Sequence, residues 1–168
     1  MRKELFGIGD YVHVYNRGNK KQPIVKGERD KEHFLQMLYY FNTEITPPNP
    51  FRDITPLLRL NLNRFVWPDR WVPRTPIVKI ISFVLMKNHF HLLLEEVTEN
   101  GIVKFMQRLG TGMTMYYNKR HQETGTLFQG PYKAKIIDTD VYLKYLSVYI
   151  QVKNTFELYE GGFKGAME

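Results

Sequence analysis

The sequence predicts an α+β fold, ferredoxin-like, in which a mostly antiparallel central sheet has helices packed on one face and the chain ends in a C-terminal helix. Three observations predict it. Segments with the two-residue alternation of strands are interspersed with segments of 3.6-residue periodicity; their order is β-α-(insert)-β-β-α-β-α; and, the insert apart, every connection is short enough to join neighbouring elements. The 168 residues, 43% of them hydrophobic and 14% aromatic, suit one domain over 1–168 with a real core.

The elements follow in order. "DYVHVYNRG" sets Val12, Val14 and Asn16 on one face and Tyr11, His13 and Tyr15 on the other, a strand that stops at Gly18. "ERDKEHFLQMLYYFN" has Phe34, Met37, Leu38 and Phe41 at helical spacing, with Asp30 as the expected N-cap. From Asn42 to Pro76 the chain is rich in Pro, Asn, Arg and Trp, which predicts an irregular insert at about 43–76, either an excursion on the surface or a functional loop. "IVKIISFVLM" and "FHLLLEE" form a hairpin turning at Lys87 and Asn88. Asn100 is the expected cap of a helix whose stripe is Ile102, Phe105, Met106, Leu109, Met113 and Tyr116. A Gly and Pro turn leads to a strand at 133–138, and "TDVYLKYLSVYIQVKN" is the final helix, apolar at Leu143, Leu146 and Ile150.

Lys and Arg total 24 against 17 acidic residues, a net charge of +7, so a polyanion, nucleic acid first, is the partner to expect. With no Cys, disulfides, thiolate metal sites and Cys nucleophiles are excluded. No window approaches the ~18 consecutive apolar residues of a membrane helix, and no signal-type run begins the chain, so a cytoplasmic protein without a membrane partner is expected. Arg17, Lys20 and Lys21 after the first strand, Lys104 and Arg108 on the middle helix, and Lys133 and Lys135 beside Tyr132 are candidates for nucleic-acid phosphates, although each taken alone reads more readily as a solvated charge.

In "VLMKNHFHLLLEE", His89 and His91 point to the same side of a strand and Phe90 to the other. Two adjacent imidazoles suit half a metal site or a neutral hydrogen-bonded pair, and spacing alone does not separate the two. On the last helix Tyr142, Tyr145 and Tyr149 share one edge, a pattern that is ordinarily packing.

Taken together, "YVHVYNRGNKKQPIV", "MKNHFHLLL", "GTLFQGPYKAKIID" and "YLKYLSVYIQVKN" resemble, in the same order over roughly residues 11–155, the single-tyrosine HUH transposases of the IS200-like superfamily, and among them the REP-associated tyrosine transposases. The resemblance implies that His89 and His91 hold a divalent metal, Mg²⁺ or Mn²⁺, and that Tyr149 is the catalytic nucleophile toward single-stranded or hairpin-forming DNA. It implies cleavage and rejoining through a covalent phosphotyrosine, and it leaves a homodimer open. The family often reads Tyr, Ile, any, any, Asn, Pro where this chain has Tyr149-Ile150-Gln151-Val152-Lys153-Asn154. Lysine only donates hydrogen bonds and cannot ligate a cation, so the third metal ligand falls to Asn154, to Gln151 or to water. Two other classes compete: a non-catalytic nucleic-acid-binding module, and a metal-dependent DNA hydrolase with no covalent intermediate.

Overall fold

The computed structural model describes residues 6–60 and 65–157, with the backbone alone for 56–60, 151 and 153–157. The apolar run of the central strand is explained by burial on both sides. Phe90, Leu92 and Leu94 enter a core with Val12, Val14, Phe34, Met37, Phe105 and Leu109, whereas Leu93 turns the other way to meet Ile137, Leu146 and Ile150. A strand covered on both faces keeps apolar residues at successive positions.

Strands β1 (Tyr11–Arg17), β2 (Val78–Leu85), β3 (His89–Glu96) and β4 (Lys133–Ile137) form one sheet in the order β2-β3-β1-β4, with every pairing antiparallel. Helices α1 (Glu28–Tyr40) and α3 (Gly101–His121) supply the first core. Helix α4 (Asp140–Glu157) lies over the opposite face on Leu146 and Ile150, so the fold is the expected α+β arrangement with the tyrosine helix on a side of its own. That side carries His89 and His91.

The insert is partly regular. Residues Pro50–Leu60 form helix α2, with Pro at the first helical position, where its missing N–H costs nothing, and with Ile54 buried. Phe51 packs on Phe41 and His33, at ring separations of 5.6 and 4.2 Å. The excursion closes on Asn42, whose buried amide donates to Val78 O at 2.8 Å and accepts from the Ile77 and Val78 N–H groups.

Of the two expected caps, Asp30 is replaced and Asn100 holds its position without a side-chain bond. Gly27 is the N-cap of α1, and Asp30 sits inside the first turn, where its carboxylate accepts from Lys26 N at 2.8 Å, Arg120 Nε at 2.9 Å, His121 Nε2 at 2.9 Å and Tyr116 Oη at 3.1 Å. Burial pushes this carboxyl upward, but those donors outweigh it and hold it below the usual range. At α3, Asn100 has left-handed backbone and makes no side-chain cap bond; the buried Glu96 at the end of β3 accepts the Ile102 N–H at 2.7 Å instead. A carboxylate there also suits the positive end of the helix dipole.

Gly18 ends β1 for a steric reason. A Cβ there would lie 2.1 Å from Gln22 O, so only glycine lets the 3-10 turn at Asn19–Lys21 fold back. Its N–H donates to Asn88 O at 2.8 Å, which brings the turn carrying Lys20 and Lys21 beside the hairpin turn before His89.

Candidate active site

Antiparallel register assembles the site. Tyr15 pairs with His91 and Arg17 with His89 across β1 and β3, and Tyr15 pairs with Lys133 across β1 and β4. Because side chains alternate, these residues share the sheet face that α4 covers. Together with Asn16, Gln129 and Tyr149 they line a cavity of about 430 Å³. His89, His91 and Tyr149 therefore meet in one place, with the cations of Arg17 and Lys133 beside them.

The imidazoles are oriented from behind. Asn88 Oδ1 lies 2.8 Å from His89 Nδ1, and a carbonyl oxygen only accepts, so His89 carries its proton on Nδ1 and a lone pair on Nε2. His91 Nδ1 lies 2.9 Å from His13 Nε2. Burial, then Lys135, lowers the His13 pKa to about 4, which keeps that ring neutral and able to accept. In the tautomer pair in which His91 Nδ1 donates to His13, His91 Nε2 likewise presents a lone pair. The ring centroids of His89 and His91 are 5.3 Å apart and nearly perpendicular. Holding Nδ1 so that Nε2 can ligate is how proteins set metal-binding histidines, and two neutral imidazoles are a donor set that fits a divalent transition ion such as Mn²⁺.

Among the described residues no group of three or more His, Asp or Glu is placed to hold a metal. The third-ligand expectation, Asn154, and the alternative Gln151 lie outside the described side chains, as does Lys153.

Tyr149 stacks at 6.0 Å on Tyr145, which is 61% exposed and in turn stacks at 6.4 Å on Tyr142. Tyr142 lies under Lys135 Nζ at 4.6 Å. Of the three, only Tyr149 lines the cavity with the histidines.

The basic candidates divide by face. Arg17 and Lys133 line the cavity, Lys135 flanks it, and Lys20 and Lys21 are exposed on the adjoining turn. Lys104 is exposed on α3, across the sheet. Arg108 is committed elsewhere, donating to the carbonyls of Phe41, Thr43 and Glu44 at the start of the insert. His13 and Asn88 were missed as site residues. The signal for His13 was present in the alternation that put it beside Tyr11 and Tyr15, but its partner across β3 lies 78 residues away.

Residues 74–153 match the family model for IS200-like transposases. This segment, just under half of the chain, is similar to IS200-like transposases. It contains His89, His91 and Tyr149, and the family is one of DNA transposases. A search of curated proteins finds no match. Among solved structures, a REP-associated tyrosine transposase bound to a REP hairpin is similar at 12% identity and a TM-score of 0.54, covering 96% of this chain and 75% of its own. That likeness extends the shared fold to β1 and α1. A Deinococcus radiodurans R1 chain, provisionally described as a transposase, is similar at 13% identity and a TM-score of 0.45, over 90% of this chain and 96% of its own. Among the described residues no helix is long and apolar enough to cross a membrane.

Proposed function

We propose that this protein cleaves and rejoins single-stranded DNA next to a short hairpin, with Tyr149 as nucleophile and a divalent metal bound by His89 and His91. The observation that carries the reading is the cavity that brings Tyr149, from the last helix, together with two oriented imidazoles, Arg17 and Lys133. The similarity to a transposase bound to a hairpin supports the choice of substrate.

In this mechanism Arg17 and Lys133 hold the phosphodiester in the cavity and neutralise its charge. Tyr149 Oη forms a bond to phosphorus as the bond from phosphorus to one sugar oxygen breaks; the phenol gives up its proton and the departing sugar oxygen takes one up. One phosphodiester is exchanged for another, so attack by a sugar hydroxyl on the phosphotyrosine rejoins a strand and releases Tyr149 without nucleotide hydrolysis. A divalent cation on the Nε2 atoms of His89 and His91, with Asn154 as a further ligand, would polarise the phosphate oxygens. Asn88 and His13 keep the two imidazoles turned toward it.

Incubation with end-labelled hairpin-bearing single-stranded DNA and Mn²⁺ or Mg²⁺, resolved on a denaturing gel, tests the proposal. A covalent protein-DNA band is expected. Cut DNA without an adduct assigns a metal-dependent hydrolase, and bound but intact DNA a non-catalytic binding module.

A further inference from the structure

A second cavity, of about 450 Å³, opens on the other face of the same end of the sheet, between α3 and the loop before β4. It is walled by Phe128, Tyr132 and Met106, with Gln107 and Thr111 at its polar rim. The two cavities back onto one stretch of chain. Gln129 and Lys133 line the candidate active site, the intervening Gly130, Pro131 and Tyr132 line this one, and Asn16 borders both. Asn16 is buried and fixes the partition, donating to Gly130 O at 3.1 Å and accepting the Arg17 N–H at 2.8 Å.

Their chemistry is complementary. The active-site cavity presents Arg17 and Lys133, whereas no charged side chain among the described residues lines the second, which offers aromatic rings, a thioether, an amide and hydroxyls. A strand passing over this end of the sheet presents the same two kinds of surface, an anionic phosphate and, one nucleotide away, a flat uncharged ring. We infer that the second cavity receives an unpaired nucleobase flanking the phosphate that is presented to Tyr149, and that it contributes to the choice of cleavage position. The Gln107 amide can both donate to and accept from a base edge, and the Tyr132 and Phe128 rings give it stacking surface. The inference rests on the transposase reading above and assigns a substrate contact to that reaction.

Gly110 lines the cavity on α3, and a Cβ added there meets nothing within 4 Å. Gly110→Leu therefore starts from a Cβ with room and extends a side chain from the cavity wall, and it raises helix propensity. The experiment measures adduct formation on hairpin-bearing DNA in which each unpaired nucleotide beside the cleavage point is replaced, one at a time, by an abasic site. With wild-type protein, one position is expected to lose about tenfold or more, the size of one lost stacked base. Gly110→Leu, with circular dichroism and melting unchanged, is expected to lose as much on intact DNA and to lose nothing further on the abasic substrate. A wild-type profile that tolerates every abasic site overturns the slot while leaving the transposase reading intact. So do losses that multiply, or a folded Gly110→Leu that cleaves as wild type does. A wild-type protein that forms no adduct on any substrate removes the reading and the inference together.

Discussion

His13 stands behind His91, and replacing it separates orientation from ligation at the proposed metal site. The His13 Nε2 to His91 Nδ1 contact of 2.9 Å engages one ring nitrogen of His91 and leaves Nε2 as the atom to ligate. His13→Leu fills similar space without an acceptor, so His91 is free to take the other tautomer or to rotate. Losing such an outer partner weakens metal affinity by about 10–100-fold. That corresponds to about 1.4–2.7 kcal/mol, the same size as leaving a half-buried donor unpaired, about 1–3 kcal/mol. The assay is Mn²⁺ binding followed by the electron paramagnetic resonance of the free ion, with adduct formation titrated against Mn²⁺ alongside. His13→Leu should shift both curves to higher Mn²⁺ by that factor while the rate at saturating metal recovers, and His13→Gln, which restores a carbonyl acceptor, should recover part of the affinity. Unchanged Mn²⁺ affinity in a folded His13→Leu protein would refute the orienting role, and no Mn²⁺ binding by the wild type would refute the metal site itself.

Single-strand affinity should fall log-linearly with salt, and Lys133→Ala with Lys135→Ala should flatten the slope by about 0.7 for each phosphate contact removed, while Lys104→Ala, across the sheet, should leave it unaltered; fluorescence anisotropy from low to high salt reads this. Glu96→Ala removes the acceptor for the first turn of α3 and should cost about 0.5–2 kcal/mol, visible as a lowered melting temperature, with Glu96→Gln recovering part of it. Burial between Tyr116 and Phe51 lowers the His33 pKa to about 4. The folded state therefore binds that proton later than the unfolded chain, whose histidine titrates near 6.5. The resulting stability is complete above about pH 6.5 and is lost as pH falls toward about 4. His33→Phe should shrink the drop in melting temperature across this window, and an unchanged drop would contradict the assignment.

Much of this architecture was legible because short-range patterns dictate it. The alternation in Tyr11–Arg17 and the two-residue turn at Lys87 and Asn88 set strand faces directly, and the face of His89 and His91 follows from counting by two. Helix α2 was hidden by Pro56, which ordinarily argues against a helix interior. Burying Ile54 and packing Phe51 on α1 outweigh that local preference. Asp30 was misplaced as a cap, and Asn100 holds the N-cap position without a side-chain bond, because groups that satisfy the helix ends come from outside the local motif. Glu96 reaches α3 from β3, and Asp30 answers donors some 90 residues away. His13 was invisible for the same reason, since its meaning depends on β1 pairing with β3. Tyr149, by contrast, is indistinguishable from Tyr142 and Tyr145 by spacing; the resemblance singled it out, and of the three it alone lines the cavity.

Mass spectrometry of the gel-purified adduct reads out whether Tyr149 forms a covalent bond to DNA. Wild-type protein incubated with hairpin-bearing single-stranded DNA and Mn²⁺ should yield a tryptic peptide carrying a nucleotide on Tyr149; Tyr149→Phe should yield no adduct while folding and binding DNA as before, and Tyr142→Phe and Tyr145→Phe should still form it. A nucleotide on another residue, or an undiminished adduct from Tyr149→Phe, would contradict the account.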